Sequence, residues 1–104
     1  MVKIRGQRVE LDEVESVLCS HASVVEAAAF TIPDDSSNLL ILAAVTIKPQ
    51  VIADEKELLE FVKNKLPVYA IPTKIEIKTT LPHNSSGKID RKQLSKQYKF
   101  SDVT

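Results

Sequence analysis

The chain has 104 residues, enough for one compact domain with a single modest core. Lysine plus arginine equals aspartate plus glutamate at 14 each, so the basic excess of a nucleic-acid binder is missing, and no nucleic-acid partner is expected. The hydrophobic share of 43% and charged share of 27% are those of an ordinary globular protein. No run of about 18 apolar residues offers a membrane span. Lys3, Arg5 and Arg8 are followed by no apolar core segment, so a signal peptide is not expected. A single cysteine, Cys19, excludes an internal disulfide and fits a cytoplasmic, reducing location.

Residues 2–9 read as a short extended stretch, a hairpin turning at Gly6-Gln7. Residues 11–20 read as a helix: Leu11, Val14, Val17 and Leu18 recur at helical spacing, and Glu13, Glu15 and Ser16 are expected to face outward. Asp12, Glu13 and Glu15 lie in its first turns, where they complement the positive end of the helix dipole. Residues 24–32 and 39–47 are almost continuously apolar, and Pro33-Asp34-Asp35-Ser36-Ser37-Asn38 between them is a cluster of turn formers. The pair reads as an antiparallel hairpin buried on both faces, ended by Pro49. Asp54-Glu55-Lys56-Glu57 has the form of a capping box, with Asp54 as N-cap and Glu57 reaching back. Leu58, Leu59, Val62 and Leu66 form the apolar stripe of the helix it opens, and Pro67 stops that helix.

A connector, Tyr69-Ala70-Ile71-Pro72, follows, with Tyr69 read as a packing residue. Over residues 74–79, Ile75 and Ile77 alternate with Lys74, Glu76 and Lys78, which predicts a strand with one buried face. After a loop over 81–88, a last helix is expected from Asp90, a good N-cap, to about Tyr98. Residues 99–104 read as frayed. There is no internal repeat and no low-complexity segment. The order predicts an α+β fold over residues 1–104: a small sheet of about three strands with helices packed on it, preceded by a short β-hairpin.

Two stretches carry the chemistry. The first is Asn-Ser-Ser-Gly-Lys-Ile-Asp-Arg-Lys-Gln-Leu at 84–94. Its Ser-Ser-Gly run reads as a mobile loop with a compact, strongly hydrated charge, Lys88, at the tip. On local grounds Lys88 reads first as a solvated lysine. Yet a cation just before a helix start is disfavoured by the dipole, whereas a phosphate would be welcome there. An anion held between the helix end and Lys88 is therefore the second reading. The stretch is not a P-loop, because Gly87-Lys88 is followed by Ile89 and the upstream glycine is missing. The other stretch is Val2-Lys3-Ile4-Arg5-Gly6-Gln7-Arg8-Val9-Glu10-Leu11-Asp12-Glu13-Val14-Glu15, in which Lys3, Arg5 and Arg8 flank a glycine expected at a positive-φ turn position.

Together the two stretches resemble the C-terminal subdomain of the adenylate-forming enzymes: acyl-CoA synthetases, luciferases and the adenylation domains of nonribosomal peptide synthetases. The resemblance covers roughly residues 2–98 and is nearest to the peptide-synthetase branch, although that branch commonly has Asn-Gly-Lys where this chain has Ser-Gly-Lys. It implies that Lys88 is catalytic, reaching the substrate carboxylate and the α-phosphate of ATP as pyrophosphate leaves. Gly87 is implied to belong to the same nucleotide-binding loop. It further implies that the loop around Gly6 faces the active site in a second half-reaction, in which a pantetheine thiol attacks the acyl-adenylate. Gly6 would let the thin arm pass, and Lys3 and Arg8 match positions that contact nucleotide or phosphate in parts of the family.

The implied cofactors are Mg-bound ATP, held mainly by a large N-terminal domain outside this chain, and the pantetheine of a carrier protein or CoA as acceptor. The implied partners are that N-terminal domain, a carrier protein, and an amino or other carboxylic acid. Neither its phosphate loop nor its adenine pocket is matched here, so the isolated chain is expected to bind ATP weakly and to be inactive. An acyl-CoA synthetase lid using free CoA and a non-catalytic carrier-docking module are the alternatives. Glu10, Glu13 and Glu15 read as a solvated helix start, Cys19 as a structural thiol, and His21 and His83 form no metal-ligand spacing.

Overall fold

Two long strands run through the centre of the molecule, and their alternate residues point to opposite sides. The computed structural model describes residues 1–103. Its elements are β1 (Val2–Ile4), β2 (Gln7–Val9), α1 (Leu11–Cys19), β3 (Val24–Pro33), β4 (Leu39–Ile47), α2 (Glu55–Lys63), a 3-10 turn at Val68–Ala70, β5 (Lys74–Ile77), α3 (Arg91–Gln97) and a last 3-10 turn at Phe100–Asp102. β1 and β2 form a separate hairpin, and the main sheet has the order β3-β4-β5. β3 and β4 are antiparallel with Ala28 opposite Ala44, whereas β5 runs parallel to β4 with Ile75 opposite Ala43. This is the expected α+β arrangement.

Ala27, Ala29, Ile41, Ala43 and Val45 face one side, where they meet Ile4 and Val9 of the hairpin, Val14 and Leu18 of α1, and Leu58 and Val62 of α2. Ala28, Phe30, Ile32, Leu42 and Ala44 face the other, under Leu94 of α3 and Leu81, with Ile89 packed alongside. Alanines at 27–29 and 43–44 leave room for helices to approach the sheet closely. A bulge between Val24 and Glu26 pushes Val25 outward, and Thr46, buried beside it, accepts the Glu26 N–H at 3.2 Å.

Several local expectations are corrected. Ile77 lies on the same face as Ile75 but is not buried with it; it ends a short edge strand with a partner on one side only and is half-exposed. Tyr69 is exposed, because the 3-10 turn directs Ala70 inward and leaves Tyr69 on its outer side. Asp54 does cap α2, accepting the Glu57 N–H at 2.8 Å, but the Glu57 carboxylate turns to His21 Nε2 at 3.0 Å instead of reaching back. Residues 100–102 are ordered in a turn, with the Lys99 N–H donating to Asp102 Oδ2 at 2.8 Å and Val103 packed on the second core. The remaining residue of the expected frayed end, 104, lies outside the described residues. No helix among the described residues is long and apolar enough to cross a membrane.

Candidate functional site

Lys88 stands exposed at the end of a loop that is tied at several points. His83 and Ile89 form a β-bridge at its base. Above them the Asn84 N–H donates to the Lys88 carbonyl at 2.8 Å, and the Gly87 N–H donates to the Asn84 carbonyl at 2.9 Å. The Asn84 side-chain oxygen then accepts the Ser86 and Lys88 N–H groups at 2.9 and 3.1 Å. Gly87 closes the turn at φ +81°, a conformation that L side chains rarely adopt. The expected mobile loop is therefore a braced turn, because Asn84 satisfies its backbone donors from inside. Among the described residues no carboxylate pairs with the Lys88 ammonium.

The base of the loop is anchored on both strands. His83 Nε2 lies 3.1 Å from Glu26 Oε2 on β3. On the other strand, Asp90 caps α3 by accepting the Gln93 N–H at 3.0 Å, and its own N–H donates to the Pro82 carbonyl at 2.8 Å. Next to Asp90, Arg91 donates from Nε and Nη2 to the two oxygens of Glu15, both at 2.6 Å. Glu15 was expected to face outward; its side chain is only 12% exposed. It turns to the outer edge of β3, where Oε2 also accepts the Ala29 N–H at 2.7 Å. The hydrogen bond to Glu15 holds the Arg91 pKa above its ordinary value, against partial burial.

The hairpin brings its cations together. Lys3 lies directly opposite Arg8, and both are exposed on the face away from buried Ile4 and Val9. Like charges in that register repel, and Arg8 is relieved by Glu10, with Nη2 3.0 Å from Oε1. Arg5 and Gly6 turn the chain at φ +50° and +84°, the pair of positive values typical of a tight two-residue hairpin turn. A β-carbon added at Gly6 or at Gly87 would meet nothing within 4 Å, so the space beside each turn is open. Arg8 also borders a groove of about 160 Å³ with Glu10, Glu13, Leu66 and Tyr69.

The structure thus brings Lys3, Gly6 and Arg8 into one ridge and Gly87 and Lys88 into one turn, but it does not bring the two sets together. The ridge is rooted in the core on the α1–α2 side of the sheet, and Ile89 roots the lysine turn in the core on the α3 side. Sequence reasoning missed Glu15 and Arg91, which lie 76 positions apart. It also missed Asn84, although Asn-Ser-Ser-Gly is a readable signal for a side-chain-closed turn. Cys19 is exposed. Partial burial of its sulfur first, and then the Glu15 carboxylate, push its pKa up, which keeps the thiol protonated and unreactive near neutrality. No group of three or more metal-ligating side chains is assembled among the described residues.

Residues 13–88 match the AMP-binding enzyme C-terminal domain, and the chain belongs to that family, the C-terminal domain of adenylate-forming ligases. It is 42% identical over 93 residues to gramicidin S synthase 1 of Brevibacillus brevis, covering 89% of this chain and 8% of the synthase. It is 31% identical over 93 residues to oxalate–CoA ligase of Saccharomyces cerevisiae, covering 89% of this chain and 17% of that ligase. The fold superposes on ATP-bound MatB from Rhodopseudomonas palustris with a TM-score of 0.90 at 24% identity, over 100% of this chain and 20% of that one. The chain therefore spans only a small part of the proteins it matches. Members of the family use ATP and, as acceptor, CoA or pantetheine.

Proposed function

We propose that this chain is the mobile lid of an ATP-dependent ligase that activates an amino or other carboxylic acid and passes it to a carrier-protein pantetheine. Lys88 is the catalytic cation. In the first half-reaction a carboxylate oxygen attacks the α-phosphorus of ATP, the P–O bond to pyrophosphate breaks, and an acyl-adenylate forms. Both reactants are anionic, and a fixed ammonium between them offsets their repulsion and stabilises the charge that develops. The Gly87 turn supports this role by placing the charge where no carboxylate among the described residues neutralises it. In the second half-reaction the pantetheine thiolate attacks the acyl carbonyl and AMP leaves. The Lys3–Gly6–Arg8 ridge attends that step, with two cations for phosphate and open space beside Gly6 for the thin arm. A large N-terminal domain supplies the acid pocket and most contacts to Mg-bound ATP.

The observation that carries this reading is the separation of the two basic loops onto opposite sides of one sheet. One cleft meets them in turn if the whole domain rotates, without either loop changing shape. The likeness to gramicidin S synthase favours a carrier protein as acceptor, and the likeness to oxalate–CoA ligase supports free CoA as the second reading. The test joins this chain to an N-terminal adenylation domain and measures carboxylate-dependent ATP–pyrophosphate exchange. Lys88→Ala is expected to remove the exchange while thioester formation from supplied adenylate continues. Unchanged exchange would remove Lys88 from the mechanism and leave a carrier-docking module as the better account. Supplying carrier protein or CoA as acceptor separates the two ligase readings.

A further inference from the structure

Lys88 cannot be aimed by packing of its own side chain, because that side chain is exposed. Its position is inherited from the backbone of Ile89, Asp90 and Arg91. Ile89 is set by the second core, and Asp90 by its cap on α3 and its bond to Pro82. Arg91 has a different kind of anchor. Its guanidinium meets Glu15 through two parallel bonds and also donates from Nη1 to the Ile89 carbonyl at 3.4 Å. Glu15 is in turn fixed by the Ala29 N–H on the free edge of β3. The junction therefore fastens the C-terminal side of the lysine turn to α1, the helix that continues from the Lys3–Gly6–Arg8 hairpin. Two-point bonding between a guanidinium and a carboxylate fixes orientation as well as distance, which a single ion pair does not.

We propose that Glu15 and Arg91 are positioning residues that hold the Lys88 turn in register with α1 and the first hairpin, so that both basic loops travel as one rigid piece. The proposal rests on the role given to Lys88 above. Neither residue touches the reactants; their effect reaches the chemistry through the backbone beside Lys88. His83 and Glu26 form the corresponding tie on the N-terminal side of the turn. A turn held on both strands cannot adapt locally, so misplacement of the ammonium follows when either strand is released.

The test has two arms. In the full chain, hydrogen exchange is measured at the Gly87 and Lys88 amides and at the β4 core amides, in wild type, Arg91→Gln and Glu15→Gln. Glu15→Gln keeps an oxygen for the Ala29 N–H and removes the charge that Arg91 grips. Exchange at 87 and 88 is expected to quicken about tenfold in both variants while the β4 amides stay protected, because local opening is read separately from global unfolding. Unchanged exchange at 87 and 88 would overturn the proposal.

In the assembled ligase, Arg91→Gln is expected to lower kcat for adenylate formation about tenfold, inside the 10²-fold range that a misplacement of ~1 Å can cost. The KM for the acid and the rate of thioester formation from supplied adenylate are expected to hold, and Arg91→Lys is expected to recover part of the loss. Equal slowing of both half-reactions would mark general loss of structure and overturn the positioning role. Lys88→Ala run in parallel separates the two ideas. If it leaves pyrophosphate exchange intact, the role of Lys88 falls, while hydrogen exchange in the full chain still decides whether the junction holds the turn.

Discussion

The lysine turn and the first hairpin both close on a glycine in the left-handed region, after Arg5 at φ +50° in the hairpin and with no second positive φ in the lysine turn, and they differ further in what surrounds them. Each closes on a glycine near φ +80°, at +81° for Gly87 and +84° for Gly6, with open space beside it. The hairpin relies on its own short ladder and on Ile4 and Val9 plugged into the core. It presents two cations side by side. The lysine turn presents one cation, and its ties come from across the molecule: Asn84 within, Glu26 on one strand and Glu15 on the other. A paired ridge tolerates small displacement of an anion, because either charge still meets it. A single charge that must sit between two reacting groups tolerates none. The amount of bracing follows the geometric demand that the proposed roles place on each loop.

The largest effect expected from breaking this contrast is on rate. Removing the solitary charge with Lys88→Ala should cost adenylate formation about 10²–10³-fold, the range for losing one preorganised electrostatic group. Removing one member of the ridge, with Lys3→Ala or Arg8→Ala, should slow only the thioester step, and by less than Lys88→Ala slows the first. Single-turnover rates of the two half-reactions check this. A loss of similar size from Lys3→Ala would show that the ridge does not share its load between two cations.

Stability gives the next effect. Glu15→Ala removes an acceptor from the Ala29 N–H on the edge of β3 and leaves Arg91 without its fork, so about 1–3 kcal/mol should be lost. In a domain of this size that lowers Tm by roughly 4–8 °C for each kcal/mol. Gly6→Ala and Gly87→Ala meet no steric neighbour, so each should cost only the backbone strain of a β-carbon at positive φ, about 1–2 kcal/mol. Equal thermal losses with opposite effects on the two half-reactions would sharpen the comparison. Unequal losses would measure the difference between a glycine that follows Arg5 at φ +50° and one that stands alone in the left-handed region.

Much of this arrangement could be read from the chain, and the part that could not has a common cause. The strands at 24–32 and 39–47, the helix stripes and the Asp54 and Asp90 caps all follow from patterns a few residues wide. The exposed place of Lys88 beside a glycine turn was legible because its motif is contiguous, and so was the first hairpin, although it turns at Arg5-Gly6 and not at the expected Gly6-Gln7. Glu15 looked like a solvent-facing residue because helical periodicity ranks faces by the apolar residues on them. It does not report that a β-strand edge lies beside Glu15 with an unpaired N–H. Glu57 left its capping box for the same reason: His21, on another segment, is a partner that local spacing does not contain. The parallel pairing of β5 with β4, and with it the division of the two basic loops between two cores, depends on how the chain returns through α2.

The smallest effect expected is also the most selective, because both edges of the main sheet are closed in the same way with different cations. On β3 the carboxylate is Glu15 and the cation Arg91; on β5 it is Glu55, whose oxygens receive the Lys74 ammonium at 3.2 Å and the Ile75 N–H at 3.4 Å. Arginine stays charged at any pH the fold survives, whereas lysine does not. The hydrogen bond and the charge of Glu55 raise the Lys74 pKa. A raised lysine contributes stability that is fully present below its unfolded value of about 10.4 and is lost as pH rises through the folded value. Cys19 is also raised, through burial first, so its contribution begins to fall lower, as pH rises past the ordinary thiol value of about 8.5. Urea midpoints from pH 7 upward should therefore decline in two stages. Cys19→Ser should remove the earlier one and Lys74→Arg the later, while Arg91, charged throughout, adds no stage of its own. A decline above pH 10 that persists unchanged in Lys74→Arg would mean that the β5 edge is not held by this ion pair, and that the likeness between the two edges is one of geometry alone.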